Sequence, residues 1–177
     1  MSARKDIRKL SQEQLQDVLT LWNEPAFRAA QIYDWLWQKH VTQFKDMRNI
    51  PQLLRQKLDA AFVIQAAQIH ETQNSNDGTL KCAMRLFDNY VVESVLIPEG
   101  QRMTACISSQ VGCSLTCAFC ATGKLKRMRN LEADEIFDQV ALINGEAMRV
   151  YQKKLSNIVF MGMGEPLLNY KAVMDSI

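Results

Sequence analysis

Cys113, Cys117 and Cys120 stand in a C-x₃-C-x₂-C array within Cys113-Ser-Leu-Thr-Cys117-Ala-Phe-Cys120. Three thiolates on one short loop can converge on a single inorganic centre. A cluster of four irons and four sulfides normally takes four cysteine ligands. Three leave one iron open to an outside ligand, as a catalytic cluster requires and an electron-storage cluster does not. The competing chemistry is a structural zinc site. Zinc takes four ligands, usually from paired C-x₂₋₄-C knuckles. Cys106 can supply a fourth, but there is no second knuckle, and His40 and His70 are distant in the sequence.

A second constellation, Gly162-Met-Gly164-Glu165-Pro166, follows further along. Glycine permits close approach of backbone to a ligand, and a glutamate beside it can accept hydrogen bonds from an ammonium group. Taken alone, Gly-Glu-Pro is also an ordinary strand-to-helix turn. The elements between the two constellations decide how they meet. Met103 to Ser108 reads as a strand. An amphipathic helix runs from about Ala133 to Tyr151, with Ile136, Val140, Ile143 and Met148 on its inner side. Ile158-Val-Phe-Met161 is an apolar run of the kind found in parallel sheets. Strand, helix and strand form a right-handed βαβ unit, and α/β barrels place their chemistry at the C-terminal ends of such strands.

Upstream, residues 1–62 read as a helical module. Ser11 and Gln14 form a capping box, with Leu10 and Leu15 around it. Pro25 suits the first turn of a second helix, which presents Ala29, Ile32, Tyr33, Leu36 and Trp37 on one face. Pro51 opens a third helix, with Leu54, Leu58 and Ala61 inward. Arg28, Lys39, Lys45, Arg48, Arg55 and Lys57 decorate the module, as solvated charges or as phosphate contacts for RNA. Residues 63–102 then change to a period of two. Leu80, Cys82, Met84 and Leu86 alternate with Lys81, Ala83 and Arg85, and Asn76-Asp-Gly78 and Asp88-Asn89 are turn signals. Residues 103–177 begin an α/β core.

Two further residues have the right type for chemistry. Glu93 shares a strand row with Val91, Val95 and Ile97. It is either solvated or held where poor hydration would raise its pKa toward that of a base. Cys106 lies seven residues before Cys113 and, by itself, is a buried inert thiol. The run Lys124, Lys126, Arg127 and Arg129 is a solvated patch or a second phosphate contact.

The chain has 177 residues, 47% of them hydrophobic, and a net charge of +2, so any basic surface is local. No apolar run has the length of a membrane span, and the N-terminus lacks the apolar segment of a signal peptide. Five cysteines, three of them clustered, do not read as a secreted disulfide framework. A cytoplasmic protein is expected.

From Val91 to Asn169 the sequence resembles the RlmN family of radical S-adenosylmethionine RNA adenine-C2 methyltransferases. Ile107-Ser-Ser-Gln-Val-Gly-Cys113, the cysteine spacing and Gly162-Met-Gly-Glu-Pro166 carry the resemblance. It implies an α/β protein with a helical RNA-docking module, a β-hairpin linker and the start of a partial radical-enzyme barrel. Cys113, Cys117 and Cys120 would ligate a [4Fe-4S] cluster, and Gly164 and Glu165 would bind S-adenosyl-L-methionine. Val92-Glu93-Ser94-Val95 matches the segment that carries the family's proposed proton acceptor. Cys106 matches a non-cluster cysteine that acts late, through a disulfide with a second, methyl-carrying cysteine. No cysteine follows Cys120, so the chain is expected to be an N-terminal fragment, inactive alone. Implied partners are 23S rRNA and tRNA, and a reductant protein such as flavodoxin, with the chain a monomer away from membranes. A sister family methylating C8 of adenosine, a radical enzyme with a non-RNA substrate and a zinc-knuckle RNA-binding protein are the rival readings.

Overall fold

A computed structural model describes residues 4–177 and divides them into two units, with the boundary between Gln65 and Ala66. The first contains β1 (Lys5–Asp6), α1 (Gln12–Leu21), α2 (Phe27–Trp37), α3 (Gln52–Ala61) and β2 (Phe62–Val63), with β1 and β2 parallel. Ser11 caps α1 as its sequence predicts. Its Oγ accepts from Gln14 N at 3.1 Å, and Gln14 Oε1 accepts from Ser11 N at 3.0 Å. The second helix begins two residues beyond Pro25, whose carbonyl accepts from Arg28 N. Leu15, Leu19, Ile32, Leu36, Leu54 and Leu58 form the core, while Ala61 faces outward. Buried Asp6 closes the unit: it accepts from Gln65 N at 2.9 Å and pairs with Arg8 at 3.2 Å.

The second unit is built on a five-stranded sheet. Its strands are β3 (Gln68–Asn74), β4 (Leu80–Arg85), β5 (Val91–Glu99), β6 (Arg102–Cys106) and β9 (Asn157–Val159), in that spatial order. A small antiparallel ribbon, β7 (Gln110–Val111) with β8 (Arg129–Asn130), precedes α4 (Ala133–Tyr151), and α5 (Tyr170–Asp175) follows β9. Neighbours from β3 to β6 are antiparallel, and β6 and β9 are parallel across α4. The strands of residues 63–102 therefore share one sheet with the βαβ unit, because β5 pairs directly with β6.

One face of this sheet is the core. Leu80, Cys82 and Met84, Val92 and Leu96, and Met103 and Ala105 pack with Ile136, Ile143 and Ala147 of α4. The alternation read for β4 is the one the structure uses. Met148, expected inward on α4, is turned out, and Ala147 takes the buried place. The inner face of α4 is also more polar than hydrophobic periodicity predicts, since Glu135, Asp138 and Gln139 are buried. Gln139 earns its place through hydrogen bonds. Its Oε1 accepts from Ser94 Oγ at 2.8 Å and Ser108 N at 2.9 Å, and its Nε2 donates to Ser108 O at 3.1 Å. Ser94 thus fills an inward position of β5 without an unpaired hydroxyl.

Candidate active site

The sheet brings its two chemical segments to one edge. After β6, Ile107 to Gln110 runs beside the segment that leaves β9. Gly162 N donates to Ile107 O at 3.1 Å, and Ser109 N and Gln110 N donate to Met163 O at 2.9 and 3.2 Å. Ser108 Oγ accepts from Met163 N at 2.8 Å and donates to Glu93 O at 2.5 Å. Asn169 Nδ2 donates to Ser109 O at 2.9 Å and Leu131 O at 2.7 Å. The Gly162–Pro166 turn therefore lies against the base of the cysteine loop, although about 40 residues separate them.

That loop springs from the β7–β8 ribbon. Gly112 has φ +74°, and a Cβ there would lie 2.3 Å from Lys126 O, so the returning strand is held at a distance only glycine allows. Cys120 N donates to Cys117 O, and Gly123 N to Cys120 O, each at 3.1 Å. Cys113 Sγ accepts from Leu115 N at 3.4 Å. The Gly123 backbone N–H, with further help from Thr122, holds the Cys120 thiol below its ordinary value.

All three loop cysteines are free: Cys117 is exposed, and Cys113 and Cys120 are half-buried. Among the described residues, no three His, Cys, Asp or Glu side chains are already gathered closely enough to hold a metal ion. The donor set nonetheless fits an iron–sulfur cluster. It offers three reduced thiols on one short loop, backbone N–H groups aimed at sulfur, and no fourth knuckle ligand of the kind zinc prefers. Glu165 uses one carboxylate oxygen, Oε1, to accept from Leu167 N at 3.0 Å at the start of a short 3₁₀ turn. Ser109 Oγ is buried without a hydrogen-bond partner among the described residues, one more polar atom at this edge.

Glu93 and Cys106 occupy the sheet face opposite the core. Cys106 stands directly across from Val95, and Glu93 is two residues away along the same row of β5. Glu93 takes the solvated alternative, with its side chain 50% exposed and Oε1 3.1 Å from Lys81 Nζ. The inward row of β5 is Val92, Ser94 and Leu96, so the valines flanking Glu93 do not bury it. Cys106 is half-buried. Burial pushes its thiol up, and the Met161 backbone N–H opposes that shift.

The basic run after the loop divides. Lys124 and Lys126 are exposed, whereas Arg129 belongs to an ion-pair hub with Glu135 and Asp88 and is not a free phosphate contact. Arg127 donates to Asn130 Oδ1 at 3.0 Å. Sequence reading missed Lys81, Gln110, Asn130, Gln139 and Asn169. The one available signal was Gln139, a polar residue three positions after Ile136 on an otherwise apolar helix face.

The sheet and its cysteine loop are similar to those of a radical S-adenosylmethionine methyltransferase. A crystal structure of such an enzyme from Sphaerobacter thermophilus aligns with TM-score 0.84 and 35% identity, over 97% of this chain and 50% of that one. Residues 5–64 match the ribosomal RNA large subunit methyltransferase N-terminal domain. A probable dual-specificity RNA methyltransferase RlmN of Flavobacterium johnsoniae is 55% identical over 98% of this chain and 50% of its own length. Its counterpart in Chlorobaculum tepidum is 46% identical over 98% of this chain and 49% of its own length. Residues 5–64 thus carry the N-terminal domain of the RlmN family, and nearly the whole chain is similar to the N-terminal half of curated RlmN proteins. The chain spans about half the length of the curated relatives it matches.

Proposed function

We propose that this chain carries the cluster-binding and first cofactor-binding segments of a radical S-adenosylmethionine methyltransferase that modifies C2 of adenosine in RNA. The observation that carries the reading is the hydrogen-bonded contact between the Gly162–Pro166 turn and the base of the cysteine loop. Cys113, Cys117 and Cys120 would hold a [4Fe-4S] cluster. When bound, the cluster supplies an electron to S-adenosylmethionine, chemistry needed because the adenine carbon is too weak a nucleophile to attack a sulfonium directly. Gly164 gives the cofactor close access to backbone, and Glu165 offers carboxylate oxygen to its ammonium group.

Glu93 is the group on this face suited to accept the proton lost from the adenine carbon. It is solvent-reachable and held 3.1 Å from Lys81 Nζ. Cys106, in the adjacent strand, would act through its thiolate in releasing the product from a methyl-carrying cysteine. Burial raises the Cys106 thiol above its ordinary value, and only its thiolate is nucleophilic. The RNA base must leave its stack to reach this face.

The substrates on this reading are 23S rRNA and, as the relatives' dual-specificity names suggest, tRNA. A flavodoxin-like reductant, a monomeric state and a cytoplasmic setting complete it. Among the described residues no helix is long and apolar enough to cross a membrane.

Anaerobic reconstitution tests the cluster. A brown protein with about four irons and four sulfides per chain is expected, and preferential uptake of zinc would overturn the assignment. Expression of the full-length gene in a host lacking adenosine methylation, followed by mass analysis of rRNA and tRNA, tests the product. 2-Methyladenosine is expected, and 8-methyladenosine would move the assignment to the sister chemistry.

A further inference from the structure

We infer that Gln110 is a positioning residue for the sulfonium cofactor: its carboxamide fixes the Gly162–Pro166 turn against the stem of the cysteine loop. The inference rests on the reading that the loop holds the cluster and the turn holds the cofactor.

Gln110 is a fully buried polar side chain at the foot of the loop. Its Oε1 accepts from Glu165 N at 3.1 Å, and its Nε2 donates to Asn130 Oδ1 at 2.7 Å. A single carboxamide thus joins the turn to β8, the strand by which the loop returns. Asn130 Nδ2 donates onward to Leu168 O at 3.1 Å, so the stem also holds the 3₁₀ segment that follows the turn. Gly164 has φ +92°, and a Cβ there would stand 2.5 Å from Gln110 Cβ and 2.6 Å from its Cγ. The turn is therefore packed on the glutamine stem with no space between them.

The chemistry of the side chain explains the choice. A carboxamide presents an acceptor and a donor at fixed separation. A carboxylate would lack the donor, and an aliphatic chain would lack both. The ribbon it braces has only two residues per strand, too few to be stable unaided. A cofactor that touches both the loop and the turn is held only while the two keep their separation, and displacement of about 1 Å is costly at such sites.

The test uses the 177-residue chain, anaerobically loaded with iron and sulfide, and compares it with Gln110→Met and Asn130→Ala. Three quantities are read: iron per chain, the thermal midpoint of the iron-free chain, and the dissociation constant for S-adenosylmethionine by equilibrium dialysis. Gln110→Met is expected to keep its iron and fold and to bind the cofactor about tenfold or more weaker, on the scale of one lost buried hydrogen-bonded link. Asn130→Ala, less buried, should weaken binding in the same direction and by less. Wild-type affinity in both variants overturns the inference. So does a loss of affinity that only follows a loss of iron or of folding, which would make Gln110 structural alone. An unaltered chain that loads iron but binds no cofactor removes the role of the turn and this inference with it. Uptake of zinc instead of iron counts against the proposed function itself.

Discussion

Arg129 grips Glu135 with two parallel hydrogen bonds, Nη1 to Oε2 at 2.7 Å and Nη2 to Oε1 at 2.8 Å. Arg129 ends the cysteine loop, and Glu135 lies in the first turn of α4, where it also accepts from Glu132 N at 3.0 Å. Arg129 Nε reaches Asp88 at 2.7 Å, in the turn between β4 and β5. One guanidinium therefore ties three separate segments together around the loop exit.

Removing Arg129 leaves Glu135, whose side chain is 2% exposed, as an unpaired buried charge. Arg129→Ala is expected to destabilise the second unit by about 3 kcal/mol, the usual cost of breaking such a pair. Arg129→Ala with Glu135→Gln should recover a good part of that loss. Urea unfolding of the two variants beside the unaltered chain measures both effects.

Asp88 gives this hub its acid sensitivity. Burial pushes its carboxyl up, but the hydrogen bond and charge of Arg129, with the Tyr90 backbone N–H, outweigh burial and leave it lowered. A lowered carboxyl favours the folded state above its unfolded value of about 3.9, and that contribution is lost as pH falls through the folded value. The unaltered chain should therefore lose stability below about pH 4. Asp88→Asn should start less stable at neutral pH and show a shallower acid decline. Unfolding midpoints across that range provide the measurement.

The five thiols should differ sharply in reactivity. Cys82 is fully buried in the core row of β4, and burial pushes its thiol up to about 11. Only the thiolate reacts quickly. Brief alkylation of the iron-free chain near pH 8 should mark the loop cysteines, Cys120 with its lowered thiol and exposed Cys117, before Cys106, and leave Cys82 unmodified until the chain unfolds. Peptide mass analysis reads the order.

Lys81 and Glu93 form an ion pair across β4 and β5 that is half exposed on both sides. Such a pair contributes little to folding, so Lys81→Met should change stability by less than about 1 kcal/mol. Under the proposed function, Glu93→Gln should lower methyl transfer by about 10²-fold or more, the scale of a lost general base. Lys81→Met should have a smaller effect on the same rate. Single-turnover methylation of an RNA hairpin by the full-length enzyme separates these effects from stability.

Local signals in the amino-acid order determined a good deal. The capping box at Ser11, the β4 alternation, the extent of α4 and the three-cysteine spacing all depend on residues within a few positions of one another. Short-range hydrogen bonding and periodicity write such features directly into the chain. Glu93 and Cys106 were also legible as candidates, but their surroundings were not. Counting by two placed Glu93 among valines without saying which row of β5 faced the core, since either row was apolar enough. Only packing against α4 decided that Val92, Ser94 and Leu96 turn inward, leaving Glu93 beside Lys81. Gln110, Asn130 and Asn169 carried no local mark, because a carboxamide acquires its meaning from partners about 20 to 60 residues away. The chain order supplied the chemical groups; the pairing of β6 with β9 brought them to a common edge, and long-range register of that kind is a property of the folded sheet as a whole.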